Sequence, residues 1–146
     1  MSFTSHIYQI KFSGSRMPEK ILLFESNKII IDFNKLKPDD YSFKFGSYFG
    51  TSFAQKIITI KDPKYITNDK SPNKKFYPIS ILHEIGHSKL HKSPPNKKPV
   101  GLIKYEMEAW EYALEEIKDK KLKYNAEELQ KFISKCLKSY IKNNHA

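Results

Sequence analysis

The chain has 146 residues, of which 39% are hydrophobic and 14% aromatic; this suffices for one domain with a buried core and argues against wholesale disorder. The net charge is +10, but Arg16 is the only arginine. Base-edge and bidentate phosphate recognition rely on arginine, so a lysine-rich solvated surface is favoured over specific nucleic-acid recognition. The apolar runs are too short to cross a membrane, and no secretory pattern opens the chain. The single Cys136 cannot form an intrachain disulfide. We therefore expect an intracellular, cytoplasmic protein without a membrane partner.

The N-terminal half predicts strands. In "HIYQIKF" the apolar side chains alternate, which places Tyr8, Ile10 and Phe12 on one face. The runs "ILLF" and "KIIIDF" flank the segment 25–28, a spacing typical of a hairpin. Alternating aromatic residues in "YSFKFGSYFG" and the apolar run "QKIITIKDP", which Asp62 and Pro63 end, predict further strands.

The C-terminal half predicts three helices, over about 79–92, about 103–120 and from Asn125 onward. Asn125 is a good N-cap, and Glu128 three residues later predicts a partial capping box. We therefore predict an α+β fold in one compact domain, 1–146, mainly β over 1–62 and mainly α over 78–142: a small sheet, then two helices and a C-terminal amphipathic helix. The apolar stripe of the last helix is Leu129, Phe132, Ile133, Cys136, Leu137, Tyr140 and Ile141.

The segment "ILHEIGHSKLH" at 81–91 carries a metal-site pattern in the first predicted helix. His83 and His87 are four residues apart, so their side chains leave a helix about 40° apart and can bind one ion. Glu84 points near that ion without having to bind it, which is the position of a general base for a metal-bound water. The alternative is a core helix whose histidines hydrogen-bond internally.

The remainder of that helix is apolar almost all round, which supports the metal-site interpretation. A surface helix would carry lysines and glutamates on its outer face, whereas this pattern predicts a buried helix with one narrow polar arc. Gly86 fits the same picture, because a missing side chain lets a neighbouring element approach closely.

A catalytic zinc site usually has three protein ligands, so a third is needed. His91 lies about 12 Å along the same helix axis from His83, too far to share one ion with both rings. Glu106 falls in the middle of the apolar stripe of the second helix, where a carboxylate is costly unless it is paired or metal-bound, and it is the predicted ligand. A salt bridge to a lysine or a helix cap are its alternatives. The stripe comprises Met107, Ala109, Trp110, Ala113, Leu114 and Ile117, while Glu108, Glu111 and Glu115 are expected to be solvated.

The segment "FYPISILHEIGHSKLH", preceded by "KIITI" and followed by "EMEAWEYALEEI", resembles the ImmA/IrrE-type zinc metallopeptidases, which are compact gluzincin-like proteins, over roughly residues 56–117. The matching pieces are the H-E-x-G-H core, the Leu-His pair at 90–91, and the E-x-E-A-x-x-aromatic-Ala pattern at 106–113. The resemblance implies that His83, His87 and Glu106 bind Zn²⁺, that Glu84 is catalytic, and that the substrate is a protein, often in regulation. Trp110 stands where the family usually has Asn or Asp.

A peptidase of this type also needs a second donor for the developing oxyanion. His91 is the first candidate for this catalytic role and Tyr77 and His145 are weaker ones, while Tyr105 and Tyr112 are discounted because they lie off the apolar stripe. The strand "KIITI" is the expected sheet edge for an added substrate strand. The loop 64–75 and the C-terminal helix are candidates for covering the cleft.

Three functions stay open from the sequence. The first is a zinc-dependent metallopeptidase acting on a protein or peptide. The second is a catalytically inactive metal-binding interaction module, and the third is a basic nucleic-acid-binding protein with incidental histidines, which the charge pattern does not favour.

Overall fold

The computed structural model describes residues 1–66, 72–95 and 99–144, and its mixture of helices and strands confirms the predicted α+β class. The described strands divide between two sheets, a division that the sequence pattern does not predict. A four-stranded sheet has the order β1-β2-β3-β4, and a three-stranded sheet has the order β5-β7-β6. The strands are β1 (Ser2–Ser5), β2 (Tyr8–Ser13), β3 (Lys20–Glu25), β4 (Lys28–Asp32), β5 (Ser42–Gly46), β6 (Gly50–Ser52) and β7 (Ile57–Lys61).

The first sheet is an antiparallel meander whose alternating pattern is confirmed. Tyr8, Ile10 and Phe12 are all buried on one face of β2. The predicted hairpin joins β3 to β4 through Ser26 and Asn27, whose φ angles are 49° and 66°. Two successive residues in the left-handed region form the kind of turn that matches the twist of paired strands.

The second sheet places its most apolar strand in the middle. β7 pairs with β5 in parallel and with β6 in antiparallel, and its residues Ile58 and Ile60 are fully buried. The prediction that "KIITI" is a sheet edge is therefore wrong. Isoleucines on a central strand are covered by neighbours on both sides, and the edge strand nearest the first long helix is β6.

Among the described residues, the helices are α1 (Phe33–Leu36), α2 (Pro72–Lys75), α3 (Tyr77–Leu90), α4 (Pro99–Asp119) and α5 (Ala126–Asn144). Pro78 lies in the first turn of α3, where its missing N–H costs nothing. The predicted cap of α5 is confirmed, because Asn125 Oδ1 accepts a hydrogen bond of 3.0 Å from the backbone N–H of Glu128. The Glu128 side chain pairs with Lys75 instead of completing a capping box.

The core joins both halves of the chain around α3. Every residue from Tyr77 to Ser88 is buried, which confirms that this helix is covered on all sides. The α4 stripe is confirmed only in part, because Met107 and Leu114 are 43% and 39% exposed. No described helix is long and apolar enough to cross a bilayer. The buried cluster includes Tyr8, Ile10, Ile21, Leu23, Phe43, Ile58, Tyr77, Ile81, Ile85, Trp110, Ala113 and Phe132.

Candidate metal centre

The three predicted metal ligands meet between α3 and α4. His83 and His87 project from α3, and Glu106 projects from α4 between them. Glu106 Oε2 lies 3.2 Å from His83 Nε2, and Glu106 Oε1 lies 2.9 Å from His87 Nε2. All three residues are buried. One carboxylate thus faces the same nitrogen of both imidazoles, as a shared ion would require.

One nitrogen in this cluster lacks a hydrogen bond. His83 Nε2 is buried, and although Glu106 is close, the nitrogen has no hydrogen-bond partner within the described ranges. A divalent cation between the two imidazoles and the carboxylate would satisfy it. Two nitrogens and one carboxylate oxygen form a donor set found in catalytic zinc sites.

The charges of the cluster stabilise one another. Burial disfavours the imidazolium form of His83, but the Glu84 and Glu106 carboxylates outweigh burial and raise the pKa of His83 to about 9. Burial opposes ionisation of Glu106 as well, yet contacts with His83 and His87 lower its pKa to about 2. At neutral pH the metal-free site therefore holds an ion pair, and a metal must displace the proton from His83.

Glu84 contacts the opposite side of the first imidazole. Its Oε2 lies 2.9 Å from His83 Nδ1, and its Oε1 accepts a hydrogen bond of 3.0 Å from the Thr51 hydroxyl on β6. The donor atoms of His83, Glu84 and His87 lie within 4.8 Å of one another, so Glu84 is an alternative third ligand. Glu106 differs from Glu84 in approaching Nε2 of both rings, whereas Glu84 approaches Nδ1 of His83 alone.

His91 lies behind His87. It follows the last residue of α3 with extended backbone, φ −124° and ψ 150°, and its Nδ1 lies 3.1 Å from His87 Nδ1. Burial and the neighbouring His87 lower the pKa of His91, so its ring is neutral and can accept a hydrogen bond from His87 Nδ1–H. In the metal-free site His87 Nε2–H donates to the ionised Glu106 carboxylate, whereas with a metal bound the Nδ1–H bond to His91 would leave the Nε2 lone pair for the ion. The oxyanion-donor role of His91 stays a prediction, while this geometry fits a positioning role better.

Aromatic rings hold both imidazoles in place. Trp110 stacks on His83 with ring centroids 4.0 Å apart and an angle of 19° between the planes. Tyr105 stacks on His87 at 4.2 Å and contacts His91 at 4.3 Å. The reason for discounting Tyr105 is therefore wrong: it is adjacent to the site. Tyr105 directly precedes Glu106 on α4. Its side chain therefore leaves the helix about 100° from that of Glu106 and can flank the site, which was the available sequence signal.

Gly86 brings the second helix close enough for Glu106 to reach. A Cβ at Gly86 would lie 3.0 Å from the Ala109 carbonyl oxygen and 3.0 Å from Cδ1 of Tyr112. This confirms the predicted close approach at the glycine, and the approaching element is α4. Glu106 precedes Ala109 by one helical turn, so this contact sets its distance from the imidazoles.

Two other predicted donors have different outcomes. Tyr77 is fully buried, and its hydroxyl donates a hydrogen bond of 2.5 Å to the carbonyl oxygen of Lys61. Burial also raises the pKa of Tyr77, so this hydroxyl serves the core and does not face the site. His145 lies outside the described residues.

The side chains of His83, His87 and Glu106 lie together between α3 and α4. Comparison of the chain with protein-family models, with curated proteins and with solved structures finds no match in any of the three.

Proposed function

We propose that this protein is a zinc-dependent metallopeptidase that hydrolyses a peptide bond in a protein or peptide substrate. The observation that carries the proposal is the approach of the buried Glu106 carboxylate to Nε2 of both His83 and His87, at 3.2 and 2.9 Å. Burying a carboxylate and two imidazoles in the core of a small domain is expensive, and replacing them by apolar residues often stabilises a protein. A functional requirement for these groups explains why the core contains them.

His83, His87 and Glu106 would hold the zinc ion. When bound, zinc supplies Lewis acidity, which polarises a scissile carbonyl and acidifies water. Glu84 would accept a proton on its carboxylate and return it to the leaving amine. Glu84 lines a cavity of about 200 Å³ beside His83, and in this role its carboxylate would exchange its contact with His83 Nδ1 for a water in that cavity. His91 and Tyr105 would hold His87 in its orientation.

The substrate backbone would lie near β6. This strand is an edge of the second sheet, and its Thr51 hydroxyl donates to the Glu84 carboxylate. An extended peptide added along that edge would pass the general base. The proposal includes an intracellular site of action. The single cysteine is compatible with this, as is the lack of a membrane-spanning helix in the described chain.

The test combines metal analysis with one matched pair of variants. We expect the purified protein to bind one equivalent of zinc and to cleave members of a fluorogenic peptide library. Glu84→Gln should retain zinc and lose at least about 100-fold in turnover, because it removes the general base. Glu111→Gln is the control, since Glu111 is an exposed carboxylate on α4, and its turnover should stay within about twofold.

Two outcomes would reject the proposal. Failure to bind zinc, or equal binding in wild type and Glu106→Gln, would remove the metal site. Equal turnover of wild type and Glu84→Gln would remove the mechanism. Zinc binding without turnover on any peptide would favour the second candidate, a metal-binding interaction module. The contacts of Glu84 with His83 and Thr51 also fit this candidate, because a carboxylate held in this way can orient the imidazole ring.

A further inference from the structure

Three neighbouring cavities, together called the groove, lie beside the candidate metal centre along α2 and α5. Its inner cavity, of about 200 Å³, touches His83 and Glu84 and is bounded by the rings of Trp110, Phe132 and Tyr140. A middle cavity of about 420 Å³ shares Asn73, Phe132, Cys136 and Tyr140 with the inner one. An outer cavity of about 390 Å³ shares Pro72, Phe132 and Lys135 with the middle one. The three cavities thus share walls from the metal centre to the surface.

The two ends of this groove differ in chemistry. The inner end combines aromatic rings with polar groups, Lys61 and Glu84 among them, and has the size for a single side chain. The outer end is lined by three lysines, Lys75, Lys131 and Lys135, and by one carboxylate, Glu128. Lys75 is paired with Glu128, and Lys131 lies 3.5 Å from Glu127. No carboxylate of the described chain pairs with Lys135, so positive charge remains at this end.

The basic character continues along α5. Lys131, Lys135, Lys138 and Lys142 are all exposed, and their spacing of four, three and four residues keeps them within about 60° on the helix surface. A stripe of this kind attracts acidic groups, and it lies on the same helix as Tyr140 and Cys136 of the inner groove. Tyr140 lies about 180° around α5 from Lys131, so the stripe does not face the inner cavity; Lys131 and Lys135 meet the groove at its outer cavity, beside Phe132.

We propose that the groove between α2 and α5 binds an acidic polypeptide segment, with an apolar side chain in the inner cavity and carboxylates against Lys131 and Lys135. The inference rests on the proposed function, because it names the substrate class of that site. The groove favours a polypeptide over a nucleic acid, since its inner end accepts one apolar side chain and its charged end offers only lysines, without the planar guanidinium that pairs with phosphate. Each exposed charge pair contributes up to about fivefold in affinity.

The experiment measures binding to the full chain in the presence of a chelator, so that neither zinc nor cleavage is needed. The probes are fluorescently labelled peptides with one leucine beside four glutamates, four serines or four lysines, made in both orders. At low salt we expect the glutamate peptides to bind best. Lys131→Gln/Lys135→Gln should weaken their binding by about tenfold, and high salt should remove most of the difference.

The matched control is Lys20→Gln/Lys35→Gln, which removes two exposed charges beside the first sheet and keeps the net charge equal. Its binding should stay within about twofold of wild type. Equal affinity for glutamate and serine peptides, or equal loss in both double variants, would overturn the inference. So would tighter binding of a single-stranded oligonucleotide of equal charge that displaces the glutamate peptide.

The two proposals fail separately. If the glutamate peptides bind as expected but the zinc-loaded protein cleaves nothing, the metallopeptidase proposal fails and the acidic-peptide groove stands. If the zinc-loaded protein cleaves serine and glutamate peptides equally well, the metallopeptidase proposal stands and the inferred preference for acidic segments is wrong.

Discussion

Gly86→Ala adds a single methyl group where α3 meets α4. The new Cβ would lie 3.0 Å from the Ala109 carbonyl oxygen, 3.0 Å from Cδ1 of Tyr112 and 3.2 Å from Cα of Ala109. Favourable contacts between carbon atoms begin at about 3.5 Å, so the closest contacts are about half an ångström too short. Two of the three atoms belong to the α4 backbone, so the helix as a whole must withdraw.

The expected magnitude follows from two opposing effects. Overpacking in a well-packed core costs about 1–3 kcal/mol, whereas alanine is more favourable than glycine inside a helix by about 1 kcal/mol. The free energy of unfolding should therefore fall by up to about 2 kcal/mol. Withdrawal of α4 carries Glu106 away from His83 and His87, and because ligand distances tolerate only about 0.2 Å, zinc affinity should fall at least about tenfold.

Chelator competition measures the zinc affinity, and denaturant unfolding of the zinc-free protein measures the stability. Glu111→Ala serves as the control, since Glu111 is exposed on α4 and its removal should change neither quantity appreciably. A Gly86→Ala protein that gains the full helix-propensity benefit of about 1 kcal/mol and keeps its zinc affinity would refute the close approach of the helices. The positioning of Glu106 by that contact would then also be wrong.

Four further predictions concern the site and its support. Because the pKa of His83 is raised to about 9, zinc affinity should rise by up to about tenfold per pH unit from pH 7 to 9 and then level off, as chelator competition at several pH values would show. The raised pKa of His83 also stabilises the folded zinc-free protein. This contribution is fully present below the unfolded-state pKa of 6.5 and is lost as the pH rises through about 9. Denaturant unfolding at pH 6 and at pH 9.5 should show the loss. Thr51→Val should lower the free energy of unfolding by about 1 kcal/mol and reduce turnover, because it removes the hydroxyl that donates to Glu84; unchanged turnover would contradict that contact's role. Asn125→Ala should cost about 1 kcal/mol in thermal unfolding through loss of the α5 cap, whereas Asn125→Asp keeps the acceptor and should not.

The features that the sequence alone determined are those with a short-range period. Alternation placed Tyr8 and Ile10 on the buried face of β2, and the helical repeat placed His83 and His87 on one side of α3. The same repeat selected Glu106 over Glu108 as the carboxylate facing the imidazoles. These predictions hold because the direction of a side chain relative to its own helix or strand depends on backbone geometry within a few residues.

The tertiary structure alone decided which surfaces of those elements are covered. The central place of β7 depends on β5 and β6 pairing with it from both sides, and no local pattern distinguishes a central from an edge strand of isoleucines. Tyr105 and His91 reach His87 because α4 crosses α3 at Gly86 and because the chain leaves the helix after Leu90. Contacts between elements distant in the chain depend on how whole surfaces fit together, so the sequence predicted that His83, His87 and Glu106 face one another, while the packing selected the groups that surround them.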